Sequence, residues 1–179
     1  KLRQKISSSI DEMNDTIAQF MNLAHGMNKE NYSSCSIGNV IRNVASNLQI
    51  DNRLQLHFIR DCELQIPQAA LQQVLNNIIE NALAYGDNKP VIVELECQSN
   101  GAFIRVIDKG PGIPADMIEQ IFQPFVRATS NRLKGTGLGL AIASLICKTH
   151  NWTLKLLPGA HGGTTAQLHL PAQSISETI

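Results

Sequence analysis

The sequence predicts an α+β fold: a two-layer α/β sandwich in which a mixed sheet of about five strands packs against three helices, preceded by a long coiled-coil-type helix. Three observations predict it. Helical patterns are grouped with mostly antiparallel strand patterns, two alternating apolar runs flank a short polar turn, and residues 2–24 carry one apolar stripe. With 179 residues and 43% hydrophobic content, the chain is long enough for one well-buried domain and a small appendage.

The appendage is predicted from apolar residues spaced three and four apart, as in a heptad seam: Leu2, Ile6, Ile10, Met13, Ile17, Phe20 and Ala24. A single stripe of this kind must be buried against another helix, although an ordinary amphipathic helix packed on its own domain is the alternative. A polar stretch then breaks the pattern. We therefore divide the chain into a helix at 1–28, a linker at 29–35, a main domain at 36–171 and a tail at 172–179.

Three helices are predicted in the main domain. Ser36 is a suitable N-cap for the first, whose apolar residues recur on one side. Pro67 suits the first turn of the second, which ends at Gly86. The third runs over residues 138–149. Each has an apolar face, so all three are expected to pack on one sheet.

Strand patterns occur at residues 54–59, 91–97, 102–107, 152–157 and 164–170. The second and third of these alternate and are separated by Ser99, Asn100 and Gly101, which predicts an antiparallel hairpin. A short helix is predicted at 115–122. The polar segment that follows, 123–134, has no periodicity and is predicted to be mobile.

Composition excludes several classes of function. Lys+Arg and Asp+Glu both number 15, so no broad electrostatic field recruits nucleic acid or an anionic membrane. The four cysteines, Cys35, Cys62, Cys97 and Cys147, match neither a zinc pattern nor a short disulfide framework. We interpret them as reduced thiols of a cytosolic protein. No apolar run approaches the roughly 20 residues of a membrane helix, and no signal-peptide core follows the first residues.

The first candidate chemical cluster is a pair of asparagines in the second helix. Asn77 and Asn81 are four residues apart and therefore lie on one helix face. Two amide oxygens on one face can help to hold a hard cation such as magnesium, which otherwise keeps water and phosphate ligands. Solvated surface asparagines are the alternative.

The second cluster is a turn that follows a strand. Asp108 stands at the strand end, and Gly110 and Gly112 allow a flat ligand to approach the backbone. A carboxylate there can accept a hydrogen bond from an exocyclic amine, which favours adenine over guanine. A plain strand-to-helix turn is the alternative.

The third cluster is a glycine-rich turn that leads into the third helix. Gly135, Gly137 and Gly139 leave backbone N–H groups unobstructed at a helix start, which is typical of a phosphate site. A Rossmann site is excluded because no apolar strand precedes the glycines and no acid follows at the required distance. The chain also contains no phosphate-loop motif.

Three basic residues, Arg127, Arg132 and Lys134, lie between the second and third clusters. They predict a flexible basic lid over a polyphosphate. Solvated loop charges are the alternative.

Taken together and in order, these motifs resemble those of the sensor histidine kinases in the wider GHKL group. Residues 77–82 resemble the N box, 108–113 the first glycine box, 122–125 the F box and 135–140 the second glycine box. The resemblance covers about residues 36–171 and implies a Bergerat-type sandwich. The F box and second glycine box are similar to those of the EnvZ osmosensor type.

The resemblance implies ATP and Mg²⁺ as cofactors and assigns roles to single residues. Asn81 is expected to ligate the metal, and Asn77 and Tyr85 to line the nucleotide, with Asn77 and Asn81 forming the catalytic pair. Asp108 is expected to bind the adenine amine, and residues 135–139 the phosphates. The whole expected nucleotide site is Asn77, Asn81, Tyr85, Asp108, Gly110, Gly112, Ile113, Phe122, Arg127, Arg132, Lys134, Gly135, Thr136, Gly137, Leu138, Gly139, Leu140 and Thr164.

The implied activity is transfer of the γ-phosphoryl of ATP to a histidine of a dimerisation domain in a two-component system. Residues 1–28 then resemble the second helix of that domain, which implies a homodimer and a response regulator as partners, with no nucleic acid. The acceptor motif is absent, so the acceptor histidine is expected upstream of Lys1. The resemblance further implies a cytoplasmic portion of a bacterial inner-membrane sensor, with membrane contact only through upstream segments.

The chain departs from the family pattern at one further position, and several alternative functions stay open. Ala84 stands where many relatives carry a basic residue, so we expect the lid residues to serve instead. ATPases of the gyrase, Hsp90 and MutL kind resemble this group, but they carry a glutamate where this chain has Asn77. A serine kinase of the anti-sigma type is a further alternative. The last is a module that binds nucleotide or a response regulator without catalysis.

Overall fold

The computed structural model describes residues 32–48, 53–128, 136–159 and 162–172. The predicted helix at 1–28 and residues 173–179 of the predicted tail lie outside the described residues. Within the described residues, the strands are β1 Tyr32–Ser36, β2 Leu54–Arg60, β3 Glu63–Pro67, β4 Val91–Gln98, β5 Gly101–Ile107, β6 Thr153–Pro158 and β7 Thr164–Pro171. The α-helices there are α1 Ile37–Asn47, α2 Gln68–Tyr85 and α3 Gly139–Thr149, with 3₁₀ turns at Ala115–Met117 and Gln120–Phe122.

Five strands form one mixed sheet in the order β2-β4-β5-β7-β6. β2 runs parallel to β4, and the other neighbours are antiparallel. Alternation along β4 buries Val91, Val93, Leu95 and Cys97 on one face. The three helices cover that face, and the predicted α+β sandwich of about five strands and three helices is confirmed.

The core lies between this sheet face and the helices. Helix α1 buries Val40, Ile41 and Val44, spaced so that they lie on one side of the helix. Helices α2 and α3 pack on each other and contribute further fully buried side chains: Leu71, Leu75, Ile78, Ile79, Ala143 and Ile146. Among the described residues, no helix has both the length and the apolar content needed to cross a bilayer.

Local sequence signals explain where several elements begin and end. The side chain of Ser36 accepts a hydrogen bond of 3.1 Å from the Asn39 amide, so the predicted N-cap of α1 is confirmed. The predicted hairpin is also confirmed, with β4 and β5 joined through Ser99 and Asn100. Helix α2 ends before Asp87 and Asn88, which take φ values of 55° and 56°.

The structure corrects two predicted elements. Most of the predicted linker, 29–35, belongs to strand β1, which pairs antiparallel with β3 in a separate two-stranded sheet. Its polar residues are compatible with a strand because the backbone is paired along one edge while Tyr32, Ser33 and Ser34 stay exposed. The predicted helix at 115–122 consists of the two short 3₁₀ turns. Of the residues in these two turns, only Ile121 is buried, so little packing is available to stabilise one continuous helix.

The interpretation of all four cysteines as reduced thiols is wrong. Cys62 and Cys97 form a disulfide with a Cα–Cα distance of 6.0 Å, which is usual for such a bond. The parallel pairing of β2 with β4 sets Arg60 opposite Glu96, so the residues just beyond these two positions meet although they are 35 apart in sequence. Cys35 and Cys147 are free thiols.

Candidate functional site

A cavity opens between α2, the start of α3 and the ends of β5 and β7. Its walls combine amide and carboxylate side chains with glycine backbone and apolar groups. The residues lining it are Asn77, Ile78, Glu80, Asn81, Ala82, Ala84, Tyr85, Val106, Asp108, Pro111, Gly112, Ile113, Ile121, Val126, Ala128, Thr136, Gly137, Gly139, Leu140, Leu156, Thr164 and Ala166. An apolar cavity with a few polar groups is typical of small-molecule sites.

Asn77 and Asn81 lie on the same side of α2, one turn apart, and both line the cavity. Asn77 is only 7% exposed, and its Nδ2 has no hydrogen-bond partner among the described residues. Leaving a buried donor unpaired costs about 1–3 kcal/mol. A Cβ added to Gly139 would stand 3.4 Å from the Asn77 Oδ1, so the glycine lets the start of α3 approach this amide.

Asp108 is held at the end of β5 by backbone on both sides. Its Oδ1 accepts hydrogen bonds from the amides of Gly110 at 2.8 Å and Thr164 at 3.1 Å. Burial raises the pKa of Asp108, and these two hydrogen bonds oppose the rise. No described residue donates to Oδ2. The carboxylate is therefore fixed by one oxygen, and the other remains able to accept from a ligand.

Two glycines allow the backbone to pass close to Asp108. Gly163 has a φ of 80°, and a Cβ there would collide with the Asp108 carbonyl. A Cβ at Gly110 would collide with the carbonyl of Tyr85 at the end of α2. Both positions therefore require glycine for space, and Gly163 requires it for its conformation as well.

The structure describes the glycine-rich turn before α3 from Thr136 onwards. The Thr136 hydroxyl accepts a hydrogen bond of 3.4 Å from the Leu138 amide, and the Gly137 carbonyl accepts one of 3.1 Å from the Phe125 amide. Gly137 has a φ of 73°, which turns the chain into α3 at Gly139. The first amides of α3 have no acceptor within their own helix, and the helix dipole adds positive potential there.

Apolar residues from the strands form the remaining wall of the cavity. β7 sits between β5 and β6, and pairing sets Val106 and Leu156 on either side of Ala166. All three line the cavity. Together with Ile113 and Leu140 they provide a surface on which a flat ring can lie.

Most of the predicted site residues that are described line this cavity: Asn77, Asn81, Tyr85, Asp108, Gly112, Ile113, Thr136, Gly137, Gly139, Leu140 and Thr164. Four others do not: Leu138 is buried in the core, Gly110 supports Asp108, Phe122 packs beside the core, and Arg127 is half-buried outside the lining. Arg132, Lys134 and Gly135 lie outside the described residues.

Sequence reasoning missed several lining residues. Strand alternation is the only sequence signal at Val106, Leu156 and Ala166, because these residues come together only through the register of the sheet. Glu80 had a signal, since it directly precedes Asn81 in the N-box-like motif. It is largely exposed at the cavity, and partial burial raises the pKa of its carboxyl group.

The fold is a two-layer α/β sandwich, and this cavity is a candidate small-molecule site between its helices and its sheet. Residues 67–174 match the family described as "Histidine kinase-, DNA gyrase B-, and HSP90-like ATPase". Because this match covers more than half of the chain, the chain belongs to that family.

Individual relatives are sensor kinases. The chain is 29% identical over 172 residues to the sensor histidine kinase GtrS of Pseudomonas aeruginosa, covering 96% of this chain and 36% of GtrS. It is 36% identical over 124 residues to the sensor histidine kinase WalK of Bacillus subtilis, covering 66% of this chain and 20% of WalK. The chain thus spans about a third of GtrS and about a fifth of WalK.

A solved structure is similar as well. The histidine kinase domain of the Escherichia coli osmosensor EnvZ matches with a TM-score of 0.64 and 30% identity, covering 82% of this chain and 92% of that one. The predicted resemblance to the catalytic domain of sensor histidine kinases is confirmed, and the EnvZ domain is among the structural neighbours.

Proposed function

We propose that this chain binds Mg-ATP and supplies the γ-phosphoryl group to a histidine of a dimerisation domain, as the catalytic part of a sensor histidine kinase. One observation carries the proposal. On the walls of a single cavity, an Asp108 oxygen and the Asn77 Nδ2 have no partner among the described residues, and the glycine start of α3 lines the same cavity. These groups match the amine and the phosphates of ATP.

At the base end, the Asp108 Oδ2 accepts a hydrogen bond from the exocyclic amine of adenine. Guanine carries a carbonyl oxygen at that position, which would face the carboxylate without a hydrogen. The ring lies against the apolar wall formed by Ile113, Leu140 and the strand residues. Selectivity for adenine therefore rests on one oxygen, whose position is set by the Gly110 and Thr164 amides.

At the phosphate end, backbone amides from Gly137 to Leu140 and the dipole of α3 favour negative charge. Asn77 Nδ2 donates to a phosphate oxygen, which gives this buried donor a hydrogen-bond partner. Arg127, Arg132 and Lys134 serve as the basic lid, in place of the basic residue absent at Ala84.

The donor set also fits magnesium. The described residues contain no group of three or more His, Cys, Asp or Glu side chains suited to a metal. A cation beside Asn81 would therefore rely on an amide oxygen, phosphate oxygens and water, which is the ligand set that Mg²⁺ prefers. When bound, Mg²⁺ would neutralise phosphate charge.

In the reaction, the bond between the γ-phosphorus and the β–γ bridging oxygen breaks, a phosphorus–nitrogen bond to the acceptor imidazole forms, and ADP leaves. The chain contributes positioning and charge neutralisation. Neutral histidine is already nucleophilic near pH 7. ATPase relatives place a glutamate where this chain has Asn77, so no carboxylate stands at that position to activate water, and transfer to histidine is favoured over hydrolysis.

The longer protein would then act as a homodimer through residues 1–28, pass the phosphoryl group to a response regulator, and bear this domain on the cytoplasmic side of a membrane-anchored sensor.

The test mixes the chain with γ-labelled ATP, Mg²⁺ and a separately made dimerisation domain that carries an acceptor histidine. We expect label on that histidine, lost in Asn81→Ala. Asn76→Ala is the matched control, because Asn76 is the neighbouring asparagine on α2 and does not line the cavity. Phosphate release without labelled histidine would indicate an ATPase. Neither product, with nucleotide still bound, would indicate a binding module.

A further inference from the structure

The Cys62–Cys97 disulfide lies at the end of the sheet opposite the nucleotide cavity. In the pairing of β4 with β5, Cys97 stands opposite Ala102 at one end, whereas Ile107, next to Asp108, stands opposite Ile92 at the other. Cys97 is 4% exposed, whereas Cys62 is half-buried in the short connection between β2 and β3. The bond therefore joins a surface connection to a core strand and lies outside the set of residues that line the cavity.

The connection that carries Cys62 also holds the first described part of the chain, residues 32–38, which we call the leading segment. The Ile37 amide donates to the Cys62 carbonyl at 3.0 Å. The neighbouring Asp61 accepts from the Gly38 amide at 2.8 Å and from the Ser36 hydroxyl at 2.9 Å. A Cβ at Gly38 would collide with the Asp61 carboxylate, so glycine makes this contact possible.

These contacts connect the disulfide to the leading segment. The leading segment is attached to the residue 61–62 connection by hydrogen bonds, and that connection is attached to strand β4 by the Cys62–Cys97 bond. The chain reaches the leading segment from residues 1–31, which include the predicted dimerisation helix. Breaking the bond would remove the covalent tie between the connection and β4, and the backbone pairing of β2 with β4 and of β1 with β3 would then hold it alone. The residues of the nucleotide cavity would stay in place.

We propose that Cys62 and Cys97 form a reversible thiol–disulfide site that fastens the leading segment to the nucleotide-binding sheet and loosens it when a dithiol reduces the bond. This fastening does not rest on the function proposed above.

The chemistry is thiol–disulfide exchange. A thiolate of the dithiol attacks the more accessible Cys62 sulfur, the bond to Cys97 breaks, and the Cys97 sulfur leaves and takes up a proton. The second thiol of the reductant then attacks the mixed disulfide and releases Cys62 as a thiol. The protein gains two electrons and two protons, and the dithiol becomes a cyclic disulfide. An oxidised dithiol reverses the process.

The two remaining cysteines do not compete in this exchange. Burial raises the pKa of the Cys147 thiol to about 12. Burial and the nearby Glu63 carboxylate raise the pKa of Cys35. Thiols with raised pKa values stay protonated at neutral pH and are poor nucleophiles. Exchange is therefore confined to the Cys62–Cys97 pair.

Hydrogen–deuterium exchange mass spectrometry of the whole chain, with and without dithiothreitol, tests the proposal. Alkylation under denaturing conditions first establishes the thiol count of each sample. On reduction, the Ile37 and Gly38 amides, followed in a peptide that begins at Ser34 or earlier, should exchange at least about tenfold faster, because the connection that holds them opens more often. Amides of α3 should not change, and ATP affinity should change by less than about twofold.

Two variants control the experiment. Cys35→Ser removes a free thiol next to the connection and should respond to dithiothreitol as the parent chain does. A double variant, Cys62→Ser with Cys97→Ala, should exchange like the reduced parent and show no response. Four alkylatable thiols in the air-oxidised chain, or unchanged exchange at Ile37 and Gly38 after confirmed reduction, would overturn the proposal. Neither result depends on phosphoryl transfer, so failure here is distinguishable from failure of the proposed function.

Discussion

Replacing Asp108 by Asn tests the two oxygens of this side chain separately, because the substitution keeps one hydrogen-bond acceptor and removes the other. The amide oxygen of Asn can still accept from the Gly110 and Thr164 amides, which now hold the carboxylate at 2.8 and 3.1 Å. The other position becomes an NH₂ group, which cannot accept from the amine of adenine. Asp108→Asn therefore preserves the support of the turn and removes the group that reads the base.

The expected loss is that of a hydrogen bond to a charged acceptor, about 1.5–3 kcal/mol. This corresponds to a loss of ATP affinity of roughly 10- to 150-fold. GTP affinity should not fall, because the new NH₂ group can donate to the guanine carbonyl. Isothermal titration calorimetry with both nucleotides in the presence of Mg²⁺ measures the two changes. Asp116→Asn is the control, since this exposed carboxylate lies outside the cavity.

The same substitution should stabilise the nucleotide-free protein. Burial holds the pKa of Asp108 above its ordinary value of 3.8 despite two hydrogen bonds. A group whose pKa rises on folding favours the folded state at low pH, and this contribution is lost as the pH rises through the raised pKa. At pH 7 the ionised carboxylate therefore costs stability, and Asn removes that cost. The Tm of Asp108→Asn should exceed that of the parent at pH 7, and the difference should shrink on acidification.

Two results would contradict this role of Asp108. Equal losses of ATP and GTP affinity would mean that Asp108 supports the cavity without reading the base. A lower Tm at pH 7 together with lost affinity would mean that the substitution damages the turn.

Three other substitutions test the remaining parts of the site. Gly163→Ala should lower the Tm and abolish ATP binding because its Cβ meets the Asp108 carbonyl, whereas Gly162→Ala, also at positive φ but with open space, should cost only about 1–2 kcal/mol in chemical denaturation. Asn77→Leu should abolish ATP binding yet raise the Tm by a few degrees, since it removes an unpaired buried donor; a lowered Tm would contradict this. Ser36→Ala should destabilise the fold by about 1–2 kcal/mol, through loss of the α1 cap and of the hydrogen bond to Asp61, without changing ATP affinity.

The sequence predicts those parts of the fold that depend on neighbouring residues. The Ser36 cap, the Ser99–Asn100 turn and the glycine start of α3 all follow from local stereochemistry, and the structure has each of them. Strand β1 was missed because its polar residues show no alternation. Its strand conformation comes from pairing with β3, whose residues are about 30 positions away.

In the candidate site too, local sequence predicts some residues and not those that depend on strand pairing. Asn77, Asn81 and Asp108 were predictable because motif spacing places them on a helix face and at a strand end. The apolar wall was not predictable, because Val106, Leu156 and Ala166 meet only through the β5-β7-β6 register. The Cys62–Cys97 bond escaped for the same reason. It depends on the parallel pairing of β2 with β4, a tertiary feature without a local signal.

A crystal structure of the chain with Mg²⁺ and a non-hydrolysable ATP analogue would show whether the cavity is the nucleotide site. We predict the adenine amine within about 3 Å of the Asp108 oxygen that no backbone amide contacts, and the metal beside Asn81. We also predict a phosphate oxygen on the Asn77 Nδ2. An adenine ring bound elsewhere, or an amine directed away from Asp108, would contradict this prediction.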